Sequence, residues 1–249
     1  MRSSALLTVS LDAHGNSVVR DLRSQAPLTL VPHRRASTEA LVHLVSSVTA
    51  PLGGDDLTLT VRVGAGARLA LRGVAATLAL PGHRADGSRT TVTFEVEDGA
   101  AVTYLPEPTV VTARARHEAV LSVSLAPTAV LRTREVLVLG RSGEQPGVLG
   151  TTVRARRDGK PLLHQRLAIG DPRVAASPAG LAGKRVLGTD LRLDDSACST
   201  AGGEWWSRVP LAFGGSLVTV LADDVVTATR VLDHSIVADC EQLSRSRSR

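Results

Sequence analysis

Aromatic side chains are scarce: Phe94, Tyr104, Trp205, Trp206 and Phe213 make up 2% of the 249 residues. A core built on stacked rings is therefore excluded, and because hydrophobic residues still reach 43%, Val, Leu and Ala must fill the interior. Branched aliphatics of this kind favour strands. The chain is long enough to bury one large β-rich domain or two small ones. Cysteine is scarcer still. Cys198 and Cys240 have no short metal-binding spacing between them, so reduced thiols in a cytoplasm are expected rather than a disulfide framework. The opening MRSSALLTVSLDAHG does not read as a secretory leader, because its apolar run is short and ends at Asp12. No stretch approaches the roughly 18 uncharged apolar residues of a membrane span. These absences together predict a soluble, cytoplasmic chain with no membrane partner.

The formal charge is +5, but Arg245, Arg247 and Arg249 of the terminal SRSRSR supply three of those charges and leave +2 for everything before them. Single-stranded nucleic acid is held by basic grooves with aromatic platforms. A nearly balanced body with few rings argues against that partner. Residues 244–249 read as a disordered basic tail, and 1–243 as a single domain.

What the chain does have is alternation. In PLGGDDLTLTVRVGAGARLAL, Leu57, Leu59, Val61 and Val63 alternate with Thr58, Thr60 and Arg62, the period of a strand with one buried face. The rhythm returns in TVTFEVED, VLSVSLA and REVLVLG. Small-residue turns follow three of these strands, at residues 64–67, 98–101 and 126–129, so the region from Ala40 to Gly140 reads as a unit repeated about every 30 residues. Parallel solenoid coils and an antiparallel sandwich both fit, because alternation fixes the buried face and not the pairing neighbour. A β-sandwich that binds a small molecule or carbohydrate, with Trp205 and Trp206 as its contact, is the alternative reading; packing of that pair over the core is favoured.

The remainder is less regular. Two strands around Asp158 and Gly159 read as a hairpin. The stretches DPRVAASPAGLAGKRVLGTD and DDSACSTAGGEWW read as loops. From about 223 to 241 the period changes: Val225, Thr229, Leu232 and Ile236 form one helical stripe, with Asp223 or Asp224 available as N-cap. This terminal helix is expected to seal the β body rather than dock elsewhere.

Catalytic patterns fail one by one. SPAGLAGKR around Lys184 puts Pro178 where a phosphate loop has its first glycine and Arg185 where a Ser or Thr would hold magnesium. GAGARL lacks the third glycine of a dinucleotide turn, and LGRSGE is not the hydrolase elbow around a serine. The seven histidines are scattered without ligand spacing, so no stable metal site is expected. Polar residues gather at turns instead: Asp55 and Asp56, then Arg141 and Glu144 around Gly143. Turn chemistry accounts for these. It does not account for Glu107, which two prolines fix on an extended segment.

Three segments in order carry a resemblance. PLGGDDLTLTVRVGAGARLAL, VTYLPEPTVV and VLVLGRSGE, followed by RRDGKPLLHQRLAI, resemble the segments of the urease accessory protein UreD (UreH) family, over about His43 to Leu232. Where that family carries Thr-Thr-Gln-Ala-Ala-Thr-Lys, this chain has Arg72-Gly73-Val74-Ala75-Ala76-Thr77-Leu78 and keeps the hydroxyl of Thr77. The resemblance implies a non-catalytic scaffold: a β-helical body with a C-terminal helix that holds UreF, recruits the GTPase UreG through it, and helps deliver nickel to the urease apoprotein. It further implies an internal polar passage, with Asp55, Thr77, Tyr104, Glu107, Arg141 and Glu144 as candidate lining or partner-contact residues. Nickel would be in transit and no cofactor stably bound. Exposed apolar surface near the C-terminal region is expected to meet UreF.

Overall fold

The computed structural model describes every residue except 34–37, 83–85, 172, 174–175 and 247–249, and gives the backbone alone for 236–246. Along the chain come β1 (Arg2–Leu11), β2 (Ser17–Arg23), β3 (Leu28–Pro32), β4 (Ala40–Ser46), β5 (Asp56–Val63) and β6 (Arg68–Gly73). Then follow β7 (Thr77–Ala79), β8 (Ser88–Val96), β9 (Ala101–Leu105), β10 (Thr109–Val111), β11 (Arg116–Leu125) and β12 (Val130–Leu139). The hairpin β13 (Val148–Arg157) and β14 (Lys160–Ile169) precedes β15 (Val186–Leu193), β16 (Ala201–Gly203), β17 (Trp206–Pro210) and β18 (Ser216–Ala222). The helix α1 (Val225–Ser246) closes the series.

These strands form two sheets in a solenoid-like stack. The first has the order β14-β13-β11-β8-β5-β1-β2, and the second β16-β17-β18-β15-β12-β9-β6-β4-β3. In the first sheet β1, β5, β8, β11 and β13 pair parallel to one another. In the second, β4, β6, β9 and β12 do the same. Each coil thus lays one strand on each sheet and stacks on the coil before it. Parallel ladders settle the arrangement that alternation left open, and the antiparallel sandwich is not formed.

Stacking places like positions in rows. Leu7, Val61, Phe94, Val123 and Ala155 are successive register partners and all are buried. Each fully buried Val or Leu in such a row contributes about 1.5–3 kcal/mol. The corners between the sheets stack as well: Gly66 N donates to Asp98 O at 2.9 Å, Ala101 N to Ala67 O at 2.9 Å and Val130 N to Ala100 O at 3.0 Å. Gly66 and Gly99 have φ of 70° and 67°, the left-handed backbone these corners require. The third corner uses Thr128 Oγ1, which accepts from Gly99 N at 2.8 Å.

The predicted hairpin turns at Asp158 and Gly159, with φ of 49° and 73°. The two stretches read as loops hold strands as well. β15 runs through glycine-rich sequence because Leu187, Leu191 and Leu193 fill the interior while Gly188, on the other face, leaves room for α1. A Cβ at Gly188 would lie 3.0 Å from Leu232 Cδ1. β16 and β17 form a small antiparallel ribbon around residues 204–205. Trp206 packs into the cluster beneath the helix, whereas Trp205 is more exposed and has the Lys184 ammonium 4.5 Å from its ring centre.

Asp224 caps α1, accepting from Thr227 N at 2.8 Å. Val225, Ala228 and Leu232 then pack on Val136, Val186, Val218 and Val220, so this half of the helix seals the outer face of the second sheet. The side chain of Ile236, expected to continue the stripe, lies outside the described residues. Helical backbone reaches Ser246, into the segment read as a tail, and Arg247 and Arg249 are outside the described residues. Among the described residues no helix is long and apolar enough to cross a membrane.

Candidate functional site

The interior is not filled uniformly. Around Phe94 and Tyr104, whose rings meet at 5.2 Å, bulky side chains close the space between the sheets. Nearer the rim opposite the stacked corners, inward positions are held by small or hydroxylated residues: Thr90, Ala119 and Thr151 on the first sheet, Thr133 and Thr189 on the second. Such side chains cannot meet across the gap, and a cavity of about 190 Å³ remains. That is room for several waters, for which the few polar side chains in a mainly apolar lining supply partners.

Glu135 is the carboxylate inside. Leu131, Thr133, Glu135, Leu137 and Leu139 share the inward phase of β12, so the strand that builds the core also delivers Glu135 to the cavity. Thr151 Oγ1 donates to its Oε2 at 3.2 Å. Among the described residues it has no ion-pair partner. The nearest arginines of the same strand, Arg132 and Arg134, point to the opposite face, where both bind the buried Asp190 at 2.9–3.2 Å. Burial raises the Glu135 carboxyl to about 7, with the Thr151 hydrogen bond pulling the other way. Burial likewise raises Tyr104, and the charge of Glu135 adds to it. His117 lines the same space from β11. Burial lowers it to about 4, opposed by a backbone hydrogen bond with Ser88, whose Oγ lies 2.9 Å from Nδ1. The imidazole is neutral at physiological pH.

The six residues singled out from the sequence separate into two groups. Thr77, Tyr104 and Glu107 line the cavity. Glu107 sits on a strap between Leu105 and Thr109 that crosses directly over Gly73, where a Cβ would come within 2.5 Å of Glu107 N. Asp55, Arg141 and Glu144 do not line it. The Asp55 carboxylate is buried against the Met1 ammonium at 2.6 Å and accepts from Leu52 N at 2.8 Å. Glu144 folds back on Arg141, accepting from its backbone N and Nε at 3.0 Å and from Nη2 at 2.9 Å, and these bonds hold its carboxyl down at about 2. Both are turn anchors by geometry.

Sequence reasoning missed Glu135 and His117. The signal was present: once Leu137 and Leu139 set the phase of β12, stepping back by two reaches Glu135 and Thr133. Glu135 was hidden because the charged start of that strand, Arg134 and Glu135, reads as solvent-facing.

Among the described residues no three His, Cys, Asp or Glu side chains converge on one point. The cavity instead combines one carboxylate, a second on its strap, several hydroxyls and an imidazole. Such a set can accept a cation without gripping it, because hydroxyl and amide oxygens are weak ligands for late divalent metals.

The comparison with known proteins is consistent along the whole chain. The family model described as UreD urease accessory protein matches residues 3–244. Urease accessory protein UreD 1 of Saccharopolyspora erythraea is 53% identical, over 98% of this chain and 99% of its own length. Urease accessory protein UreD of Parafrankia sp. (strain EAN1pec) is 40% identical over 94% and 87%, and that of Frankia alni 40% over 93% and 91%. On the strength of these matches and of the solenoid that its sequence builds, the chain belongs to the UreD family of urease accessory proteins.

Proposed function

We propose that the protein is a non-catalytic scaffold of urease maturation that binds UreF, engages the GTPase UreG through it, and passes nickel to the urease apoprotein by way of the interior cavity. The observation that carries this reading is Glu135: a carboxylate without a counter-ion in a largely apolar cavity, with the hydroxyls of Thr133, Thr151 and Thr189 nearby. Isolated buried carboxylates are costly and are retained where a charge is to be received. A passage must release what it accepts, so one carboxylate with hydroxyls and water serves transit better than a set of soft ligands. Glu107 supplies a second charge on the Pro-Glu-Pro strap, and the neutral His117 adds no repulsion.

Partner binding is supported by apolar surface in the C-terminal part, where Phe213 and Val226 are 64% and 66% exposed and Val209 lies nearby in sequence. Exposed apolar side chains that adjoin one another mark protein contacts, and Val209 and Phe213 share the turn end of the β17–β18 hairpin. The test is activation of urease apoprotein at limiting nickel by the wild type and by the Glu107→Gln/Glu135→Gln double variant, with UreF capture as the control. Activation should fall about tenfold or more while UreF capture persists. Equal activation would remove the passage, and loss of UreF capture by the wild type would remove the scaffold.

A further inference from the structure

The outer face of the β13–β14 hairpin carries a concentration of positive charge that the rest of the first sheet lacks. Arg154, Arg156, His164 and Arg166 are all exposed, and Arg154 stands directly opposite His164 in the register; Lys160 is exposed at the turn end, opposite Arg157. Opposite residues on paired strands lie about 5 Å apart at Cβ, and Arg154 and Arg156 are about 7 Å apart along one strand. The acid that approaches this group is Glu118, 3.7 Å from Arg166. Among the described residues Arg154, Arg156 and Lys160 have no ion pair.

Elsewhere on the same face most cations are matched, the exposed Arg116 of β11 being an exception. Arg62 meets Glu95 at 2.9 Å and Arg2 meets Asp56 at 3.8 Å. Arg89 lies in register between Asp56 and Glu118. Protection of a sheet edge does not explain the difference. Edge strands are commonly guarded by charge, yet at the other edge, β2, Arg23 is held by Asp21 at 3.0 Å and Arg20 is tied down by hydrogen bonds to Ser10 Oγ and the Leu11 carbonyl. Moreover Arg154 and Arg156 lie on β13, which is not an edge strand. With a net charge of only +2 before the terminal arginines, these unmatched cations are segregated rather than spread. Like charges across a ladder destabilise it. Spacings within the Debye length of about 8 Å let their fields add at an approaching surface.

We propose that the outer face of the β13–β14 hairpin docks an acidic protein surface within the maturation assembly. This rests on the scaffold reading above. A protein surface is favoured over nucleic acid because the face presents no aromatic platform for bases. Charges arranged in this way act chiefly on association rate.

The test uses the full chain as wild type, as Arg154→Glu/Arg156→Glu, and as Arg20→Glu/Arg23→Glu, which makes the same charge change at the opposite edge. Each is titrated by surface plasmon resonance against UreF, the UreF–UreG complex and urease apoprotein at low and moderate salt. The hairpin variant should lose about tenfold or more in association rate toward one of the three, with a weaker salt dependence, while the β2 variant behaves as wild type. Circular dichroism establishes that both remain folded, and Arg154→Gln/Arg156→Gln replaces the reversal should it not. Wild-type rates for all three probes overturn the surface, as does an arginine dependence seen only with a labelled oligonucleotide. Failure of the wild type itself to bind any probe would overturn the scaffold reading as well.

Discussion

Glu135→Gln should make the protein more stable at alkaline pH and leave it nearly unchanged in acid. The wild-type carboxyl titrates at about 7 in the folded chain against 4.5 for the unfolded one. Between those values the folded state keeps a proton that the unfolded state has released. The stabilisation is therefore complete below the unfolded value and lost as pH rises through the folded one. At 1.36 kcal/mol per unit, the loss amounts to about 3 kcal/mol, and waters in the cavity reduce it. His117 works in the opposite sense: its folded value of about 4 lies below the ordinary 6.5, so its contribution is present above the ordinary value and declines as pH falls toward 4. Both proteins share His117, and it cancels in their difference. Urea unfolding of wild type and variant from about pH 4.5 to pH 8 reads the effect; with an m value of about 3 kcal/mol/M, the midpoints should separate by up to about 1 M at the alkaline end. Midpoints that stay parallel across the range would refute the argument that desolvation of Glu135 outweighs its hydrogen bond from Thr151.

Two further outcomes follow from packing. Asp190→Ala leaves Arg132 and Arg134 without their buried acceptor, and chemical denaturation should show a loss of about 3–5 kcal/mol. Gly73→Ala drives a methyl group into the strap at Glu107; it should cost about 1–3 kcal/mol in thermal or urea unfolding and lower urease activation at limiting nickel.

Much of the solenoid was legible because its signal is redundant. Leu57 to Val63 and its later repeats show the inward face, and the small-residue corners show where each strand ends. Pairing direction was not legible, since the same alternation serves parallel and antiparallel neighbours. β15 was hidden by Gly188, which breaks a strand pattern for a reason that only the helix above it supplies. At the site, Glu107 stood out because two prolines fix it where no turn needs a carboxylate. Asp55, Arg141 and Glu144 have the local roles that turn chemistry assigns to such residues, as cap and ion pair. Glu135 was overlooked because charge at a strand end reads as exposed, whereas its desolvation depends on strands arriving from elsewhere in the chain.

The stacked corners also constrain how the sequence can change in length. Gly66, Ala67, Ala100 and Ala101 are tied coil to coil by backbone bonds, so one residue added to a corner would throw every later coil out of step. The opposite rim, which joins β4 to β5, β9 to β11 and β12 to β13, also has backbone bonds between coils, such as Gly54 N to Gly87 O at 3.2 Å and Gly140 N to Val111 O at 2.9 Å, but its connections differ in length from coil to coil. Insertions and deletions accumulated over evolution should therefore gather at that rim, where the Glu107 strap lines the cavity, letting that end diversify while the coils behind it keep their pitch.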